Sequence, residues 1–190
     1  MLPADALLLH IGHYIRISEP LRAALLERVQ AASYHKGELL HDARHVCTRS
    51  DFIQQGLVRL YYLLDGEKIT EYFSAEGEWV NSPSSLVKQT PDIYYLEALE
   101  PTQTLSLQAQ DLGYLFDIFP EMERYARLSM GSVFGHLMDR VTSLRFTSAR
   151  EKYAHFCRTH HDILHRLPLG MVASYLGITQ ETLSRIRAER

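Results

Sequence analysis

The spacing of apolar positions divides the chain into three textures. Residues 4 to 32 carry two short helical patterns, the second opening at Glu19 and Pro20 with Leu21, Leu25, Leu26 and Val29 at helical spacing. From Tyr34 to about Leu107, short β-rich runs are punctuated by turn residues. The clearest is LVRLYYLLDGEKITEYF, where two strand-like runs flank Asp65-Gly66, a dipeptide that tolerates the positive backbone angles of a tight type I′ turn. Further runs at FIQQG, IYYLEAL and TLSLQ predict an antiparallel roll or barrel rather than alternating βαβ units.

After Asp111 the helical period returns. Pro120 sits where a first-turn proline is tolerated, and Met122, Ala126, Met130, Val133, Leu137, Val141 and Leu144 come after it at steps of three and four. That spacing predicts one helix of about 25 residues, long for a globular protein. A second apolar set, Tyr125, Leu128, Phe134 and Met138, lies partly off that stripe. More apolar face than one core covers predicts packing both on the chain's own sheet and on a partner chain, hence a homodimer; a single long core helix in a monomer is the alternative. Helical patterns resume at residues 148 to 165 and 168 to 190.

The last of these reads RLPLGMVASYLGITQETLSRIRAER. Pro168 can start a helix with Met171, Val172, Tyr175 and Leu176 inward, Gly177 supplies a left-handed stop, Ile178 packs into the gap, and Thr179 is a natural N-cap for a second helix. Leu183 and Ile186 then face the core and leave Gln180, Glu181, Ser184, Arg185 and Arg187 toward solvent. This is a helix-turn-helix pattern, whose second helix can lie in the major groove of double-stranded DNA. Arg185 suits guanine, Gln180 adenine and Glu181 a cytosine amino group, while Thr179 and Thr182 with the first amides suit a phosphate. Two packed helices around a Gly turn also occur as plain core structure.

Charge sharpens this picture. The net charge of −3 argues mildly against bulk polyanion binding. Residues 140–190, however, hold nine Arg and Lys against four acids, a net of +5 that leaves −8 for residues 1–139. An acidic body with a basic tail fits a chain that meets nucleic acid at one end. Cys47 and Cys157 are in no disulfide or metal spacing, so a reducing cytoplasm is expected. The opening MLPADALLLHIGHYIRI has no basic leader, and its apolar run is too short to span a membrane, so a soluble, uncleaved protein is expected.

The stretch VASYLGITQETLSRI resembles the helix-turn-helix of the Crp/Fnr family of transcription regulators: an alanine, a small gap, Leu-Gly, a hydroxyl residue, Glu-Thr and then Ser-Arg. A short helical start, a strand introduced by Lys36-Gly37-Glu38, Gly56 before a strand, the Asp-Gly hairpin and the long helix occur in the order that family uses, so the resemblance spans essentially the whole chain. It implies an α+β fold in three parts. These are a cyclic-nucleotide-binding-like, jelly-roll-type antiparallel β-roll with flanking helices (1–118), a long dimerisation helix (119–147) and a small all-helical DNA reader (148–190). By position, the family's base contacts fall on Gln180, Glu181 and Arg185, with Thr179 and Thr182 beside phosphates. Gln180 replaces the arginine common there, which implies a different preferred operator. The sequence stops five residues after Arg185, so no β-wing is expected after the reading helix, and Arg145, Arg150 or Lys152 are candidate phosphate contacts.

The resemblance also frames what the roll binds. Family members that take cyclic AMP use a Glu on the ribose and an Arg on the phosphate; aligned by eye, these fall on Ser82 and near Asp92. A carboxylate where a phosphate must bind is repulsive, and Lys88 would have to bend back to compensate. The expectation is a roll that has lost cyclic-nucleotide chemistry. Trp79, Asn81, Ser82, Ser84, Ser85, Tyr94 and Tyr95 would surround the old site, either for another small effector or as plain filling of a sheet face and loop.

No cofactor or metal is expected. His155, His160, His161 and His165 carry no HExxH and no obvious completing ligand, and His41 and His45 lack the HxH spacing of metal oxygenase rolls. GxSxG and P-loop motifs are missing, so an enzyme has little support. Two readings remain: a dimeric DNA-binding regulator, and a small-molecule-binding or interaction module whose terminal helices are structural.

Overall fold

A computed structural model of the protein describes residues 4–146 and 148–189. Arg190, counted in the basic tail, lies outside the described residues, as do positions 1–3 and 147 of the expected divisions. Helices α1 (Asp5–Gly12) and α2 (Glu19–Arg28) precede eight strands: β1 (Gln30–Tyr34), β2 (Leu39–His41), β3 (Arg49–Gln55), β4 (Val58–Leu64), β5 (Glu67–Ser74), β6 (Trp79–Val80), β7 (Tyr94–Ala98) and β8 (Thr102–Gln108). Helix α3 (Pro83–Lys88) interrupts them between β6 and β7; α4 (Ala109–Ile118), α5 (Pro120–Phe146), α6 (Ala149–Thr159), α7 (Leu169–Leu176) and α8 (Gln180–Ala188) complete the chain.

The strands form two four-stranded antiparallel sheets, in the orders β1-β8-β3-β6 and β2-β7-β4-β5. Between them lie Tyr34, Leu40, Ile53, Val58, Val80, Leu96 and Ala98. Of the two architectures expected, the roll is therefore the one present; two separate sheets are not a closed barrel. The β4–β5 hairpin turns at Asp65 (φ 51°) and Gly66 (φ 85°), both left-handed as a type I′ turn requires. On the outer face of the first sheet, Phe52, Leu105 and Leu107 pack against Leu7, Ile11, Leu21 and Leu25 of α1 and α2 and against Leu115, Met122 and Tyr125 from α4 and α5.

Three boundaries differ from the sequence pattern. Residues 30–32, expected to be helical, form β1, because pairing of Gln30 to Ala32 with Ser106 to Thr104 outweighs a weak local helical preference. Helix α6 stops at Thr159 rather than running to 165; the chain then turns through a 3₁₀ segment at Leu164–Arg166. The short α3, opened by Pro83 in its first turn, sits in a stretch too brief for helical periodicity to register.

Helix α5 leaves its own roll early. Met122 and Tyr125 are buried against it, but Leu128, Met130, Val133, Phe134, Leu137, Met138 and Val141 are all exposed, Phe134 to 65%. Tyr125, grouped by sequence with the surplus set, is thus a core residue, while most of the main stripe beyond it is uncovered.

The C-terminal helices share a core with the roll. Tyr153, Phe156, Ile163, Val172, Tyr175, Leu176, Leu183 and Ile186 pack together with Leu57 and Phe73, which come from the β3–β4 turn and from β5. Phe73 meets Phe156 at 6.3 Å and Tyr175 at 5.6 Å between ring centroids, geometries favourable for aromatic pairs.

Candidate nucleic-acid interface

Helices α7 and α8 are joined by a turn that their sequence dictates. Gly177 takes φ 64° at the end of α7, a backbone that a side chain would strain, and its N–H bonds the Ser174 carbonyl at 3.1 Å. Thr179 caps α8, its Oγ1 accepting from the Thr182 amide at 3.2 Å. The Thr179 hydroxyl also donates to Thr182 Oγ1 at 3.1 Å, so both hydroxyls proposed for phosphates are engaged in the cap. Leu183 and Ile186 are buried beneath, fixing which side of α8 looks outward.

That outward side carries the expected residues. Gln180, Glu181, Ser184, Arg185 and Arg187 are exposed, and Thr182 is half-buried. Gln180, Glu181, Ser184 and Arg185 line one open groove together with Leu169 and Ala188. Gly170 at the start of α7 lies so close to Gln180 that a Cβ there would stand 2.9 Å from its Oε1, so a side chain at that position would push the amide aside. The Glu181 carboxyl is held below the ordinary carboxylate range by its own backbone amide and by the Thr179 hydroxyl, and remains an acceptor. Arg185 and Arg187 make no ion pair among the described residues. The arrangement offers donors and acceptors of both kinds on one rigid, solvent-facing helix, as base-edge recognition requires.

Several of the basic residues counted with the tail are turned inward. Arg166 donates to Glu76 through two bonds of 2.9 Å and also bonds Glu100, which raises the guanidinium above its ordinary value. Arg140 of α5 bonds Glu71 on β5 and lies 4.5 Å over the Tyr175 ring of α7. Ser174 of α7 accepts from the Thr70 amide at 2.9 Å. Arg150, a candidate phosphate contact, pairs with Glu189 just past the end of α8, whereas Arg145 is exposed and Lys152 half-buried. These links bind roll, long helix and terminal helices at one junction, and sequence reading missed them because each joins residues remote in the chain with no local pattern between them.

His160 stands at that junction. Its ring stacks on Phe156 at 4.4 Å and meets Tyr175 edge-on at 5.6 Å. Burial, with smaller help from His155, His136 and Arg140, pushes its pKa down to about 4. The fold holds it neutral while the unfolded chain protonates near 6.5, so its contribution is complete above pH 6.5 and is lost as pH falls toward 4. Partial solvent access reduces the size to about 2 kcal/mol. Thermal unfolding followed from pH 7 to pH 4 should show that loss in the wild type and a flatter profile in His160→Phe; parallel profiles would contradict the assignment.

The expected effector residues are placed around α3. Asp92 accepts from the hydroxyl of Ser82, from the Ser85 amide at 3.2 Å and from the Tyr94 amide at 3.0 Å. Ser85 in turn donates to the Thr90 carbonyl at 2.6 Å and accepts from the Cys47 amide at 2.8 Å. Asn81 donates to Ser50, and Ser84 is half-buried. Lys88 is exposed on the last turn of α3. Trp79 lies on the other side, its Nε1–H donating to the Tyr125 hydroxyl at 2.6 Å. Tyr95 stacks on Tyr61 at 5.1 Å and Tyr94 meets Tyr62 edge-on at 6.3 Å. The seven residues thus form no single lining: Ser82 and Ser85 belong to a network closed by Asp92, and Trp79 to the α1–α5 core.

Among the described residues, no three His, Cys, Asp or Glu side chains gather as metal ligands, and no helix is long and apolar enough to cross a membrane.

No protein-family model and no curated protein matches the sequence. Solved structures do. FixK2 from Bradyrhizobium japonicum matches with a TM-score of 0.75 at 22% identity, over 85% of this chain and 83% of that one. A CooA mutant from Carboxydothermus hydrogenoformans gives 0.71 at 19%, over 95% and 82%. A protein from Eubacterium rectale assigned to the Crp/Fnr family of transcriptional regulators gives 0.71 at 17%, over 93% and 87%. The matches thus span most of a chain built of two antiparallel sheets, one long helix and a terminal helix pair, and the fold of this chain is that of the Crp/Fnr transcription regulators.

Proposed function

We propose that the protein is a dimeric, sequence-specific DNA-binding transcription regulator of the cytoplasm. The observation that carries this is α8: its apolar side is locked into a core by Leu183 and Ile186, and its free side presents Gln180, Glu181, Ser184 and Arg185 along one groove. The shared fold with Crp/Fnr regulators supports the same use of that helix. The uncovered apolar face of α5 supports pairing with a second copy, which would set two reading helices against the two halves of a palindromic operator.

The roll is read as a sensor scaffold that no longer takes cyclic nucleotides. Asp92 places a carboxylate against the donors of the α3 turn, where a cyclic phosphate would be repelled. Any small effector would therefore be neutral or bind elsewhere.

Arg185→Ala provides the test. Operator affinity should fall by about 1 to 3 kcal/mol with relaxed preference at one base position, while dimerisation is unchanged. Titration of labelled operators and their single-base variants measures this; unchanged operator preference in the mutant would sink the reading.

A further inference from the structure

Arg185 and Arg187 do not share a face. At about 100° per residue they lie about 160° apart around α8, on opposite flanks of the side that carries Glu181 and Ser184, and Arg187 is outside the groove that Gln180, Glu181, Ser184 and Arg185 line. Arg187 belongs to a second groove of about 310 Å³, lined also by Tyr153, Leu164, Leu167 and Val172 and rimmed by His161 and His165. Leu169 lines both this groove and the one beside Gln180 and Arg185, so the two adjoin at that residue.

We propose that this second groove seats the sugar–phosphate backbone of the duplex whose base edges α8 reads. The inference rests on the DNA-reading assignment and adds to it where the backbone is held. A DNA strand alternates apolar deoxyribose faces with anionic phosphates. The groove offers the matching alternation, a floor of Leu164, Leu167, Leu169 and Val172 beneath a rim of Arg187 and two imidazoles. His161, His165 and Arg187 are exposed, and Arg187 makes no ion pair among the described residues. The acid at hand is Asp162, 3.0 Å from His161 Nε2, a surface pair that an incoming phosphate can displace at small cost. Two other arginines of the region are engaged: Arg166 is held by Glu76 and Glu100, and Arg150 by Glu189. Arg187 is therefore a backbone contact and Arg185 a base contact, although both are arginines of one helix.

The test uses the full-length protein with an operator duplex and an unrelated duplex, each titrated from about 50 to about 200 mM salt. Arg187→Ala should weaken both duplexes by the same factor and flatten the salt slope by about 1, which makes the affinity lost across that range about three-fold smaller. The double variant His161→Ala, His165→Ala should also weaken both duplexes equally and leave the ranking of operator variants intact. Wild-type affinity and slope in both variants overturn the backbone seat while leaving the regulator reading standing; that is also the outcome if the groove serves a small anion or another protein. A change of base preference in Arg187→Ala overturns it too. If the wild type shows neither sequence preference nor salt dependence, the regulator reading fails and this inference with it.

Discussion

Phe134→Glu is expected to convert the protein from dimer to monomer over the micromolar range and to abolish tight operator binding. Phe134 is 65% exposed, midway along the α5 face formed by Met130, Val133, Leu137, Met138 and Val141. A contiguous apolar face of this kind, on a helix that its own roll stops covering after Tyr125, is the composition of an interface centre. Truncating a central aromatic anchor typically costs about 2 to 4 kcal/mol, and a carboxylate left unpaired in the same place costs more. At about 1.4 kcal/mol per tenfold, dimer dissociation should strengthen by at least about 30-fold. Operator affinity should fall further, because one reader holds only half a site. Sedimentation analysis and operator titration measure both effects. The residue makes no contribution to the monomer core, so melting of the monomer should stay close to that of the wild type under dissociating conditions. A variant that stays dimeric would place the interface elsewhere.

Phe73→Ala should split one unfolding transition into two. Phe73 is 2% exposed and belongs to β5 of the roll, yet its ring packs on Phe156 of α6 and Tyr175 of α7. Phe→Ala in a core costs about 3 to 5 kcal/mol, and here the loss falls on the joint between the two parts. Two probes separate the parts. Trp79 is the only tryptophan and lies in the roll against Tyr125, while helical circular dichroism is weighted toward α5 to α8. Denaturant curves by the two probes should coincide in the wild type. In the variant the helical signal should begin to fall first. Coincident curves in the variant would mean that the joint carries little of the stability.

Local chemistry made much of this architecture legible in the sequence. The hairpin at Asp65-Gly66, the Pro120 start of α5, the Gly177 stop and the Thr179 cap are each set by one or two residues with strong backbone preferences, and all are present. The outward residues of α8 were also legible as exposed, because burial of Leu183 and Ile186 fixes the helix phase. What escaped was set by distance in the chain. Nothing near Arg166 predicts Glu76 and Glu100, nothing near Arg140 predicts Glu71 and Tyr175, and the basic excess of the tail therefore overstated its free cations. Asp92 was legible as a carboxylate near the turn, but not in its structural part there. Its three hydrogen bonds, which make it a structural cap of the α3 turn, depend on how β7 returns to α3.

The core shared by Leu57, Phe73 and the terminal helices bears on how such a molecule can be recombined. A chimaera that grafts a foreign helix-turn-helix after α5 would set unmatched side chains against Leu57 and Phe73. It would also leave Thr70 without Ser174, Glu76 and Glu100 without Arg166, and Arg140 without the Tyr175 ring. Under the proposed DNA-reading role, operator preference is therefore more safely reprogrammed by changing Gln180, Glu181, Ser184 and Arg185 in place than by exchanging the terminal helices whole.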